Sequence, residues 1–114
     1  MKTYETRLCE NEKKAVASFS NQAKSELGKN ILYMKLFGSK VRGNVNDESD
    51  IDILMVVRQR DAGTREEISR IASELNIEFD CLLSPVIHTE EEYNKNRHVK
   101  SLFAENIENE GITL

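Results

Sequence analysis

Apolar positions recur along this chain with two different periods, and the switches between them divide it into elements. From about residue 10 to 28, Val16, Phe19, Ala23 and Leu27 return every three or four positions with Lys and Glu between them, which predicts an amphipathic helix. Gly28 is its expected C-terminal cap. The run Ile31–Phe37 (ILYMKLF) then reads as a strand, 38–49 as a polar connection, and Asp50–Val57, rich in Ile and Val, as a second strand. Thr64-Arg-Glu-Glu67 has the form of a capping box, and Ile68, Ile71, Ala72 and Leu75 behind it form one helical face. Ile77–Leu83 is the expected third strand. A second capping box, Thr89 to Glu92, opens a short helix. A further helix is expected over Val99–Asn109, with Leu102, Phe103 and Ile107 on one side, ended by Gly111. Ile112–Leu114 would add an edge strand.

The lengths of the connections constrain the topology. Strands two and three are separated by a helix, as a parallel crossover requires. The link between strands one and two holds no full helical pattern, which favours an antiparallel pair. The expected fold class is therefore α/β in the broad sense (α+β): a small mixed β-sheet flanked by helices, in a single domain spanning 1–114. Such a sheet brings the end of strand one (Gly38), the start of strand two (Asp50) and the start of strand three (Glu78, Asp80) to one end.

Composition narrows the partners. The chain has 114 residues, 39% hydrophobic and 32% charged, which reads as globular rather than disordered. Its net charge of −4 argues against a domain that grips nucleic acid by itself. Cys9 and Cys81 form no spaced framework and are read as reduced thiols, Cys81 packing as a small hydrophobe. The N-terminus has no apolar signal core, and no run approaches the roughly 18 apolar residues of a membrane span. The expectation is a cytoplasmic protein with no membrane association.

The chemistry concentrates in Leu36–Val57, LFGSKVRGNVNDESDIDILMVV. In a strand, Asp50 and Asp52 face the same side, on the face continued by Leu54 and Val56. Two ionised carboxylates about 5 Å apart repel by about 3 kcal/mol at an effective dielectric near 20. A cation or a raised pKa would offset that cost. Paired carboxylates with open coordination positions suit Mg²⁺, which leaves room for phosphate oxygens. Glu78 and Asp80 share a strand face by parity, so spacing leaves either as a third acid. The bland reading of Asp-x-Asp is a pair of solvated residues at a strand start. Gly38-Ser39 would let the backbone approach an anion, with free N–H groups and the Ser39 hydroxyl as donors, although a Gly-Ser turn taken alone is more often a plain turn with Ser39 as helix N-cap. Gly38 to Gly43 has P-loop spacing, but Asn44-Val45 stands where Lys-Ser/Thr is required. NVNDESDID lacks the glycine and closing glutamate of an EF-hand. His88 and His98 have no metal-ligand spacing and read as surface or cap residues.

Taken together, GSKVRG, a polar stretch and SDIDILMVV resemble the signature of the DNA polymerase beta-like nucleotidyltransferase superfamily. The branch it resembles is the minimal nucleotidyltransferases, small single-domain proteins. The resemblance extends through FDCLLSPVIHTEEEY, similar to the family's third strand with its single carboxylate, and ENIENEGITL, similar to its closing helix and strand. It implies that Asp50, Asp52 and Asp80 bind two Mg²⁺ ions, with Asp80 rather than Glu78 as the third carboxylate. It implies that Gly38 and Ser39 hold the triphosphate, that Arg42 braces the loop or touches phosphate, and that Ser49 positions the strand start. Val41 departs from the smaller residue commoner at that position. The implied reaction is two-metal transfer of a nucleoside monophosphate from ATP or another NTP to a hydroxyl.

The resemblance also implies a protein partner of the helical HEPN type, with this chain as the antitoxin of a toxin–antitoxin pair. The competing class is a non-catalytic partner-binding module of the same fold, whose acids hold a structural cation or none. A receiver-type phospho-acceptor domain would need five strand–helix repeats, more than this chain has. A long polymeric substrate would require a partner protein or an oligomer.

Overall fold

The computed structural model describes residues 8–37, 50–98 and 111–114, with backbone alone for 96–98. Among the described residues, three helices and four strands follow one another as α1 (Glu10–Leu27), β1 (Ile31–Phe37), β2 (Ile51–Val57), α2 (Ala62–Phe79), β3 (Leu83–Thr89), α3 (Glu90–His98) and β4 (Ile112–Thr113). The helix expected over Val99–Asn109 lies outside the described residues, as does the connection 38–49.

The four strands form one mixed sheet in the order β3-β2-β1-β4. β1 runs antiparallel to β2, β3 runs parallel to β2 through the α2 crossover, and β4 closes the other edge antiparallel to β1. Expected pairing directions and the edge strand are therefore present. The third strand is displaced: α2 runs on through Ile77–Phe79, and β3 begins only at Leu83. Ile77 and Phe79 satisfy a strand pattern, but the helical face of Ile68, Ile71, Ala72 and Leu75 continues into Phe79. Phe79 packs against the main core, while Ile77 is 84% exposed.

Alternation along the strands separates two apolar clusters. Ile51, Ile53 and Met55 of β2, with Met34 and Leu36 of β1, meet Val16, Phe19 and Ala23 of α1 and Ile68, Ile71 and Leu75 of α2. On the other face, Leu54 and Val56 are closed off by Tyr93 of α3, with Tyr33, Phe37 and Val86 around it. Tyr93 meets Tyr33 edge-on, with ring centroids 6.0 Å apart.

The caps differ in detail from the sequence reading. Asp61, not Thr64, caps α2, its carboxylate accepting the Thr64 N–H at 2.7 Å. The Thr64 hydroxyl instead accepts from Asn30 Nδ2 at 2.9 Å. Asn30 also accepts the Gln59 N–H at 2.9 Å, so this polar latch ties the start of β1 to the β2–α2 turn. The Thr89–Glu92 box is closed in both directions: the Thr89 N–H donates to the Glu92 carboxylate at 2.8 Å, and the Glu92 N–H to the Thr89 hydroxyl at 3.1 Å. Gly28 follows α1 with ordinary right-handed torsions (φ −50°, ψ −38°), so its value is space: a Cβ there would run into the Lys24 carbonyl oxygen. No described helix is long and apolar enough to cross a membrane.

Candidate active site

β1 ends, β2 begins and β3 begins at the same end of the sheet, and the aspartates stand there. Asp52, the second residue of β2, is half-buried. Its neighbours across the sheet are Phe37 on β1 and Ser84 on β3. Ile51 and Ile53 are fully buried against the helices α1 and α2, so alternation turns Asp52 to the opposite face, that of Leu54 and Val56. Asp50 immediately precedes the strand and is exposed. Strand periodicity carried back to this position would set it on the Asp52 side, about 6.6 Å away along the axis. Between them, the Ile51 N–H donates to the Leu82 carbonyl at 2.8 Å, tying the entrance of β2 to the residue before β3.

The acidic residues expected on strand three are differently placed. Glu78 is exposed in the last turn of α2, so strand parity does not govern it. Asp80 is exposed as the C-cap of α2, in the left-handed region (φ 52°, ψ 57°), its N–H bonded to the Asn76 carbonyl. Short polar residues tolerate that conformation better than other non-glycine residues. Among the described residues, no group of three or more His, Cys, Asp or Glu side chains is gathered closely enough to hold a metal ion. Asp80 thus lies at the correct end of the sheet without joining Asp50 and Asp52 in one cluster. Asp52 in β2 and Asp50 just before it are both hard oxygen donors. They fit a divalent cation whose remaining ligands are phosphate oxygens and water.

Gly38, Ser39, Arg42 and Ser49 lie outside the described residues. The chain leaves β1 at Phe37, directly across from Asp52, so this connection starts from the row that holds the carboxylate.

Two residues of this end carried no sequence motif. Ser84, half-buried, occupies the β3 position in register with Asp52. Asn76, in the last turn of α2, accepts the Leu83 N–H on its Oδ1 at 2.7 Å. Its carbonyl accepts from both the Asp80 and Cys81 N–H groups. Neither has a local signature, because each acts through a partner whose position is set by the α2–β3 turn. Cys81, half-buried against the main core, matches its reading as a small hydrophobe. Burial, with smaller help from the Glu12 charge, pushes its thiol pKa up and makes it a poor nucleophile at neutral pH.

Comparison with known proteins agrees with this geometry. The family model described as "Polymerase beta, Nucleotidyltransferase" matches residues 20–114. The chain belongs to the polymerase beta nucleotidyltransferase family. Two relatives within that reach come from Methanocaldococcus jannaschii. The chain is 33% identical over 78 residues to "Putative protein adenylyltransferase MJ0141", covering 68% of this chain and 72% of that protein. It is 33% identical over 104 residues to "Putative protein adenylyltransferase MJ0604", covering 91% of this chain and 98% of that protein. The nucleotidyltransferase assignment makes this a transferase acting on a nucleotide, with the sheet end around Asp50 and Asp52 as its candidate active site.

Proposed function

We propose that this nucleotidyltransferase moves the adenosine monophosphate group of ATP onto a hydroxyl of a protein. The observation that carries the reading is the Asp50–Asp52 pair at the entrance of a central strand, on the face away from α1 and α2. The names of the two relatives supply the nucleotide and the class of acceptor.

In this reading Asp50 and Asp52 hold Mg²⁺, which, when bound, screens the triphosphate charge and favours loss of the acceptor proton. Gly38, Ser39 and Arg42 bind the phosphates, and Ser49 positions the strand start. These four assignments rest on the resemblance. The acceptor oxygen bonds to the α-phosphorus, the bond from that phosphorus to the α,β-bridging oxygen breaks, and pyrophosphate leaves. The acceptor proton passes to a carboxylate at this end or to solvent. The two-ion form of the reaction calls on Asp80 as the third donor. Its place in the α2–β3 turn, outside any cluster with the other two, makes it the least supported member.

A protein acceptor suits the surface beside the site. Leu82, whose carbonyl accepts the Ile51 N–H at 2.8 Å, is 51% exposed at the entrance of β2, and Ile77 near the end of α2 is 84% exposed. The helical HEPN-type partner of a toxin–antitoxin pair is the acceptor class the resemblance suggests.

The test is transfer of label from α-labelled ATP with Mg²⁺ to a co-purified or co-encoded helical partner. Transfer by the wild type, and its fall to background in Asp50→Asn/Asp52→Asn with the fold retained, is the expected result. If no label moves and the double variant still neutralises the partner, the chain is a non-catalytic binding module of the same fold.

A further inference from the structure

The register of the sheet assigns a role to a residue that no motif marks. Asp52 on β2 is paired with Ser84 on β3, while the neighbouring pairs are Ile51 with Leu83 and Leu54 with Val86. Partners in adjacent parallel strands face the same side. The packing confirms it here: Leu83 joins the cluster of Ile51 and Ile53, and Val86 joins that of Leu54 and Val56. Ser84 therefore stands on the Asp52 face, in the row nearest the Asp50 end, about 4.8 Å away across the strand spacing. Its hydroxyl is the oxygen that β3 contributes to this row. Asp80, the carboxylate that most closely precedes β3 along the chain, lies outside the strand in a left-handed cap.

Resting on the reading above, we propose that Ser84 is a nucleotide-contacting residue whose hydroxyl donates a hydrogen bond to a phosphate oxygen of ATP bound through Asp52. Position and chemistry both support this. A neutral donor beside two carboxylates adds affinity for a polyanion, whereas a third carboxylate in the same row would add repulsion unless a further cation joined it. A hydroxyl on a short side chain, fixed by a paired strand, also loses little rotamer freedom on binding. The row then carries two carboxylates and one hydroxyl in adjoining positions.

The experiment is calorimetric titration with the non-hydrolysable α,β-methylene analogue of ATP and Mg²⁺, on the full chain. Variants are Ser84→Ala, Ser84→Thr, Ser84→Asp and Asp50→Asn/Asp52→Asn, each checked for folding by circular dichroism and melting temperature. Expected results are about tenfold weaker analogue binding in Ser84→Ala, from loss of one hydrogen bond to a charged group. Ser84→Thr, which keeps the hydroxyl, restores binding to within about threefold. Ser84→Asp binds more weakly than Ser84→Ala. If Ser84→Ala binds as the wild type while Asp50→Asn/Asp52→Asn does not, the role of Ser84 is overturned and the nucleotidyl-transfer reading stands. If the wild type binds no analogue with Mg²⁺, both fall.

Discussion

Asn76 in the last turn of α2 accepts the backbone N–H of Leu83 on its side-chain oxygen at 2.7 Å, and so ties the end of the crossover helix to the first residue of β3. Leu83 is paired with Ile51, and the next pair is Ser84 with Asp52. The backbone carbonyl of Asn76, which would otherwise end the helix unpaired, receives the Asp80 and Cys81 N–H groups. One residue thus terminates a helix and fixes where the neighbouring strand meets the carboxylate row.

Replacing Asn76 by Leu removes the acceptor and leaves the Leu83 N–H without its partner in a half-buried turn. The expected cost is about 1–3 kcal/mol in urea unfolding. Asn76→Asp keeps an oxygen in place and should recover most of the loss. Equal destabilisation by the two variants would show that the hydrogen bond to Leu83 contributes little.

Asp80 adopts φ 52°, a region that strains most side chains and not glycine. Asp80→Gly should raise the melting temperature by about 4 °C, and Asp80→Val should lower it by more, as read by scanning calorimetry. A fall in Asp80→Gly would mean that the carboxylate makes a contact the backbone geometry does not require.

Two helix-capping carboxylates set part of the acid stability. The Thr64 N–H holds the Asp61 carboxyl below its usual pKa, and the Thr89 N–H does the same for Glu92, with Arg60 adding at 2.9 Å. A depressed folded pKa means the unfolded chain binds the proton more tightly. The contribution is therefore complete above the ordinary carboxylate pKa of about 4 and is lost as pH falls through the folded values. Asp61→Asn/Glu92→Gln keeps both cap acceptors and should flatten the stability curve below about pH 4.5 relative to wild type. An unchanged slope in denaturant titrations across that range would contradict the assignment.

Tyr93 is 1% exposed and seals the smaller cluster over Leu54 and Val56. Tyr93→Ala should cost about 3–5 kcal/mol, comparable with truncating a large core aromatic. Because the same face carries Asp52, it should also weaken nucleotide binding, whereas Phe19→Ala on the opposite face should destabilise without that added effect. Similar affinity losses in the two variants, measured well below their melting temperatures, would remove the link between α3 and the site.

Much of this architecture was legible in local pattern. The 3.6-residue period around Val16 and Phe19, the apolar runs beginning at Ile31 and Asp50, and the Thr89–Glu92 box each reside within one segment, and each element formed where expected. Connection length alone separated the antiparallel pair from the parallel crossover. The misplaced feature was the third strand. Ile77 and Phe79 fit alternation as well as helix, and the choice was made by packing of Phe79 on the core and by Asn76, which engages Leu83 and Cys81 from a distance.

The sequence by itself determined α1, β1, β2, the Thr89–Glu92 box and the face that Asp52 shares with Leu54 and Val56, because these depend on residues two to four positions apart, and connection length gave the pairing directions. The tertiary structure decided what stands beside them. Register between β2 and β3 is set by the α2–β3 turn, so it brought Ser84 rather than Glu78 into the row of Asp52 and left Asp80 in the turn. Cross-strand neighbours are fixed by hydrogen bonds between segments some thirty residues apart, and a single chain's local periodicity carries no record of them.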